Sequence, residues 1–350
     1  MNKLEEKKWK KTLIFKESSL IKAIKTLEKS GLQILLVVNK DDEFIGTLTD
    51  GDIRRAILKK IDLKSPVYLA MNPNPVITNN SIDFEAAKEL MLNKKIQKLP
   101  IIEDSKVAGV FDLMSSGVSS KIDNPFLIMA GGKGIRLGSI TKDKPKPMVE
   151  VSGKPLIQRI IENAKEEGFI NFYISLNYLK NRIVEFLERN ENFGVNIKFI
   201  EERKPLGTAG AISLFRPDTD LPFLVTNADV LTNLNYHKIL RFHSKRNSHA
   251  TMAVNSFMHQ NSYGVVHADG FNITGFEEKP ISYSLINAGV YVLNHRCISE
   301  LSENEYCDMP DLFLRLKDRK YKTIIYPIYE SWVDVGKPED ISKAEEIKFS

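Results

Sequence analysis

Between residues 13 and 118 the pattern of apolar and polar positions repeats itself. The first unit predicts a helix from Ser18 through Leu27, strands at Ile34–Val38 and Phe44–Thr49, and a helix at Asp52–Leu58. The second offers a helix at Phe84–Met91 and strands at Lys98–Ile102 and Val107–Phe111. Self-similarity at this period indicates two copies of one supersecondary unit, about 13–62 and 70–118. Residues Ser116–Asn124 are Ser-rich and polar, a short linker. From Pro125 onward the pattern changes to alternating strands and helices. Pro155–Ala164 places apolar residues on one helical face, Phe172–Leu176 is a strand, Ile183–Leu187 a helix and Val195–Ile200 a strand. Such alternation predicts a βαβ sheet with helices on both faces, whose ligands sit at the carboxyl ends of strands.

A glycine cluster falls at that place. Phe126–Met129 is apolar, and Gly131, Gly132 and Gly134 follow it, then Arg136, then Lys146 between two prolines. Glycines after a strand let backbone N–H groups approach a phosphate, because no Cβ intervenes. Arg136 and Lys146 add full positive charges, the chemistry of holding a triphosphate and releasing pyrophosphate. A dinucleotide fingerprint is excluded, because its third glycine position holds Leu137. No register supplies the G-x-x-x-x-G-K-[ST] loop either, and Lys142–Lys146 reads as an extended loop.

The segment resembles the motif of sugar-1-phosphate nucleotidyltransferases, G-G-x-G-T-R-L-x-P-L-T-x-x-x-P-K-P. Arg136, Leu137, Thr141, Pro145, Lys146 and Pro147 keep its spacing, while Ile135, Ser139 and Ile140 depart from it. None of the departures removes a charge. Further segments resemble that family in order: Glu202–Gly210, Leu224–Asp229, Phe276–Pro280, Asn287–Tyr291 and Trp332–Asp340. The resemblance covers about 125–345 and implies a Rossmann-like (GT-A-type) α/β fold for a domain of residues 125–350. It implies attack of a sugar 1-phosphate on the α-phosphorus of an NTP. In that reading Gly131, Gly132, Gly134 and Gly207 hold the nucleotide, and Arg136 and Lys146 neutralise the triphosphate. Glu278, Lys279 and Asn287 face the sugar phosphate, and Asp229 and Asp334 bind Mg²⁺, which suits carboxylates shared with phosphates. The plain alternative for either Asp is a loop or cap carboxylate. No general base is required, since the phosphate nucleophile is already ionised; positioning and charge neutralisation suffice.

The repeated half resembles a tandem pair of CBS domains, a Bateman module, making residues 1–120 a smaller α/β module. Members of that family often hold adenosine through Gly-x-x-Thr/Ser-x-x-Asp. The first copy has it as Gly46, Thr49 and Asp52; the second has Gly109, then Asp112 and Ser115 out of place. One adenine nucleotide site is implied, with a ligand-free dimerising module as the alternative. A CBS pair joined to this transferase resembles the guanylyltransferases that act on glucosamine 1-phosphate in bacterial legionaminic acid synthesis. GTP is thereby the favoured NTP. Mannose- or heptose-1-phosphate guanylyltransferases and thymidylyl- or uridylyltransferases remain alternatives, as does a non-catalytic sensor of sugar nucleotides.

Composition narrows the partners. The net charge of +5 is 50 basic against 45 acidic groups with no long one-sign block, too mild to argue for nucleic acid. Cys297 and Cys307 form no C-x-x-C pair, and the six histidines show no zinc spacing. No apolar run reaches the ~18 residues of a membrane span, and no signal peptide is visible. The expectation is a cytoplasmic protein, a homodimer through its CBS pair.

Overall fold

The computed structural model describes residues 2–4, 6–113, 121–132 and 134–347. Its two compact units are Met1–Val118 and Ser119–Ser350.

In the first unit, helix Leu20–Ser30 buries Leu20, Ala23, Ile24 and Leu27, one face of a 3.6-residue period. Ser19 caps it by accepting from the Lys22 N–H at 3.3 Å, and Gly31 ends it at φ +65°, where a Cβ would be strained. Strand Ile34–Val38 is buried throughout because it lies centrally, parallel to Leu13–Phe15 and antiparallel to Phe44–Thr49. Each such side chain contributes about 1.5–3 kcal/mol on burial. The second copy has helix Phe84–Asn93 and the antiparallel strands Lys98–Glu103 and Lys106–Asp112. Asn2–Lys3 pairs with Asp112 and Phe111, so the second copy's sheet gains a strand from residues ahead of the first copy. The copies share a small core of Trp9, Ile34, Leu36 and Val110. Ser115 and residues 116–120 of the linker lie outside the described residues. The remainder of the linker is not free: Ile122 is buried and pairs in parallel with Phe169, because an apolar side chain there extends the core of the second unit.

The second unit is built on a seven-stranded sheet. Its order is Asn196–Glu201, Asn171–Leu176, Phe126–Met129, Phe223–Asn227, Ile281–Leu293, Ala250–Gln260, Thr323–Ile328. The first four strands are parallel; Ile281–Leu293 runs antiparallel to both neighbours. Phe126–Met129 is buried on both faces, as a continuous apolar run in a covered sheet must be. One face packs Ile157, Ile161, Tyr236 and Leu240; the other packs Ala209, Phe215, Leu312 and Leu316. The helices therefore lie on both faces, as the alternation predicts. Strand order reverses at Phe126–Met129, with Asn171–Leu176 on one side and Phe223–Asn227 on the other. Met129 lies opposite Asn227, so the loops after both strands emerge side by side, at a topological switch point.

Candidate active site

The glycine loop leaves its strand through Ala130, whose N–H donates to the Ser175 carbonyl at 3.1 Å and Ser175 Oγ at 3.2 Å. Gly131 and Gly132 then line a cavity of about 270 Å³, with Lys146, Glu202, Gly207 and Asp229 among its walls. Gly132 faces open space, whereas a Cβ on Gly131 would stand 2.5 Å from Glu202 Oε1. Gly134 has φ +64°, and its Cβ would stand 2.9 Å from Lys146 Cβ. That glycine is therefore needed for Lys146 to pack beneath the loop. Pro145 precedes a short 3₁₀ turn, Lys146–Met148, that turns the lysine inward until it is 8% exposed.

A buried lysine needs counter-charge, and a second sheet supplies it. Strand Val230–Thr232 pairs antiparallel with Trp332–Asp334, Val230 opposite Asp334. The Val335 N–H donates to the Asp229 carbonyl at 2.9 Å. Two carboxylates remote in sequence thereby meet over one ammonium: Lys146 Nζ pairs with Asp229 Oδ2 and lies 3.9 Å from Asp334 Oδ1. Burial raises the Asp334 carboxyl above its ordinary range, and the Asp229 charge adds to this, while Lys146 and Arg136 oppose it. Arg136 is exposed, and its Nη1 lies 3.6 Å from the place a Cβ would take on Gly336.

Oδ1 of Asp229 and Oδ1 of Asp334 are both buried without a hydrogen-bond partner. Leaving such atoms unsatisfied is costly, and two hard oxygens that stop short of a full shell suit Mg²⁺ completed by phosphates and water. The donor set fits that ion. No cluster of three or more His, Cys, Asp or Glu side chains able to hold a metal occurs among the described residues.

Residues 126–348 match the family of nucleotidyl transferases (Nucleotidyl transferase), and residues 12–59 and 65–114 each match the CBS domain. The chain belongs to the nucleotidyl transferase family. It is 34% identical over 222 residues to the mannose-1-phosphate guanyltransferase of Yarrowia lipolytica, 61% of each chain. Against the probable mannose-1-phosphate guanylyltransferase 2 of Oryza sativa it is 33% identical over 226 residues, 61% of this chain and 62% of that one. The chain thus spans about 61% of the length of these curated relatives. Among solved structures, HddC from Yersinia pseudotuberculosis, complexed with GMP-PN, superposes with a TM-score of 0.51 at 28% identity, covering 64% of this chain and 98% of that one.

Within this nucleotidyl transferase the other expected residues separate into groups. Gly207 lines the cavity at φ +79°, yet its Cβ would stand 2.6 Å from the Cys307 carbonyl oxygen. Close approach of the 306–309 segment thus accounts for that glycine without a ligand. Asn287 donates to the Tyr291 hydroxyl at 2.8 Å. Burial pushes that phenol up to about 12; the Asn287 contact opposes the rise and the nearby Asp229 charge adds to it. Asn287 is held by that hydroxyl and is absent from the cavity lining. Glu278 and Lys279 are exposed and absent from the cavity lining; Glu278 packs over the Gly264 turn.

Glu202 carries no role in the sequence reading, although it directly follows a strand and precedes the Gly207 turn. It is buried, accepts from the Leu206 N–H at 3.1 Å, and burial raises its carboxyl above the ordinary range. In the CBS unit, Gly46 is needed because a Cβ would stand 2.5 Å from the Asn72 carbonyl. Asp52 is buried, and its Oδ2 accepts from the Thr49 N–H and hydroxyl while Oδ1 pairs with Arg55 at 2.6 Å. In the second copy, Asp112 is buried against Lys98 at 2.5 Å. No helix among the described residues is long and apolar enough to cross a membrane.

Proposed function

We propose that the chain transfers a guanylyl group from GTP to a sugar 1-phosphate, giving a GDP-sugar and pyrophosphate. The observation that carries the reading is the Lys146–Asp229–Asp334 cluster beside the glycine loop, with one oxygen of each carboxylate unpartnered. Backbone N–H groups at Gly131 and Gly132 receive the triphosphate, and Arg136 and Lys146 neutralise charge that builds on the departing pyrophosphate. Bound to Asp229 and Asp334, Mg²⁺ would supply Lewis-acid polarisation of the α-phosphate and charge neutralisation. Glu202 favours guanine, whose Watson–Crick edge offers two adjacent N–H donors to one carboxylate. Uracil, thymine and cytosine offer a single donor site there. The guanylyl names of the relatives and the GMP-PN bound to HddC support the same base.

The names of the relatives favour mannose 1-phosphate as acceptor, whereas the CBS pair ahead of the transferase favours glucosamine 1-phosphate for a bacterial surface nonulosonic (legionaminic) acid. Pyrophosphate release with Mg²⁺, across five NTPs and mannose-, glucosamine-, glucose-, N-acetylglucosamine- and heptose-1-phosphate, decides between them. Release confined to GTP upholds the base and its strongest sugar names the acceptor. Release with another NTP keeps the enzyme class and discards guanine. No release from folded protein moves the non-catalytic sensor to first place.

An adenine nucleotide on Thr49 and Asp52 is the second reading. It requires Arg55 to release Asp52, and it fails if AMP and ATP neither bind the chain nor alter its rate.

A further inference from the structure

Two strands of the transferase sheet outrun it. Thr323–Ile328 accompanies Ala250–Gln260 only as far as Asn255, and Phe223–Asn227 accompanies Ile281–Leu293 only at Val290–Leu293. Beyond those points Ser256–Gln260 and Ile281–Leu285 pair with each other alone. The hairpin Val265–Asp269 with Asn272–Glu277 continues from them. Together they make an arm that joins none of the apolar cores found among the described residues.

The arm is nevertheless patterned as if it had one. Residues opposite each other in an antiparallel pair share a face. Met258 lies opposite Tyr283, Ser256 opposite Leu285 and Gln260 opposite Ile281, which puts Met258, Tyr283, Leu285 and Ile281 on one side, while Phe257 and Ile286 take the other. In the hairpin Val266 lies opposite Phe276, and Ala268 opposite Ile273 beyond a bulge, while Glu277, His267, Asp269 and Asn272 take the other side. Those apolar side chains stand in solvent: Met258 53%, Val266 53%, Ile273 62% and Phe276 75% exposed, with Phe271 wholly exposed at the tip.

An isolated two-stranded hairpin is marginal in water, and contiguous apolar surface beyond a few hundred Å² marks an interface. Tyr263, Phe271 and Phe276 alone expose about 500 Å² at the size of an aromatic side chain. Met258, Val266, Ile273, Ile281 and Leu285 carry the total past the roughly 800 Å² per partner that a stable dimer uses. Edges that avoid copies of themselves carry several lysines or prolines; residues 256–287 hold only Lys279 and Pro280, and no arginine. The sparse charge matches neither an anionic polymer nor a charged ligand. We infer that the arm is a self-association surface: its apolar face docks on the same face of a second copy about a twofold axis. This contact is separate from any association of the CBS unit.

Hydrogen exchange of the arm in the whole chain, followed from nanomolar to tens of micromolar protein, tests the inference. Residues 256–285 are expected to slow several-fold as concentration rises. The double variant Phe271→Asp, Phe276→Asp is expected to abolish that slowing and to halve the mass of the largest species in sedimentation. Because both side chains are exposed, folding is checked by an unchanged melting temperature. The milder Val266→Thr, Phe276→Ser carries the test if the first variant misfolds. Exchange that is fast at every concentration overturns the inference. Slow exchange that persists at the lowest concentration also overturns it, since the arm is then covered by its own chain. So does a variant with unchanged mass and unchanged arm exchange.

Discussion

Replacing Lys146 by Met removes the one ammonium that Asp229 and Asp334 share while keeping the length of the side chain. Taking away one partner of a buried ion pair costs about 3–5 kcal/mol, most of it the charge left behind. Here water reaches the carboxylates in part, since the Asp229 side chain is 21% exposed and that of Asp334 43%. A loss of about 2–3 kcal/mol is therefore expected without divalent cation. For a unit of this size that lowers the melting temperature by roughly 5–10 °C. If the two orphaned oxygens form a cation site, Mg²⁺ replaces the missing charge. A ligand that binds only the folded state then stabilises the variant more than the wild type, because it no longer competes with the lysine. The deficit should shrink to about 1 kcal/mol in saturating Mg²⁺, the residue of altered packing. Turnover should fall by about 10²–10³, as for loss of one preorganised charge at a reacting phosphate. Scanning calorimetry of both proteins in EDTA and in MgCl₂ gives the comparison. An equal loss in both buffers would refute the cation site, and turnover within threefold of wild type would refute the role of Lys146.

Further outcomes follow from the same geometry. The Asp334 carboxyl is raised in the folded protein, so the stability it contributes below the ordinary carboxylate range is lost as pH rises through its folded value. Asp334→Asn, neutral throughout, should therefore raise the metal-free melting temperature at neutral pH and flatten its pH dependence, while abolishing Mg²⁺-dependent turnover. A lower melting temperature counts against that sign. Glu202→Gln should reduce the preference for GTP over UTP by about 10–100-fold, the worth of one bidentate base contact, measured as a ratio of kcat/KM values. A ratio within twofold of wild type removes Glu202 from base selection. Gly46→Ala should part Thr47 from Asn72 and cost about 1–3 kcal/mol by overpacking, seen as an earlier transition of the CBS unit.

The glycine loop, Arg136 and Lys146 stand out in the chain by their local spacing, and the two distant aspartates only by the resemblance of their segments to a family. A strand must be apolar to be buried on both faces, and glycine is required where a Cβ meets Lys146 or Glu202. The repeated CBS units are legible for the same reason, since helical and strand periods are properties of neighbouring residues. Partnership is another matter. Nothing local announces that Val230 faces Asp334, or that Glu202 closes against Gly131, because strand order and register are set by contacts between remote segments. The same holds where glycine has a structural cause: Gly207 and Gly46 yield to Cys307 and Asn72, segments no motif connects to them. Glu278 and Lys279 lie in a segment that resembles a sugar-facing motif, and the strands on either side of them, Asn272–Glu277 and Ile281–Leu293, pair along the arm. The sequence by itself determined the elements and the chemical groups available to them. The tertiary structure decided which groups meet and which apolar face was left without a core, since burial and charge pairing depend on where the whole chain closes.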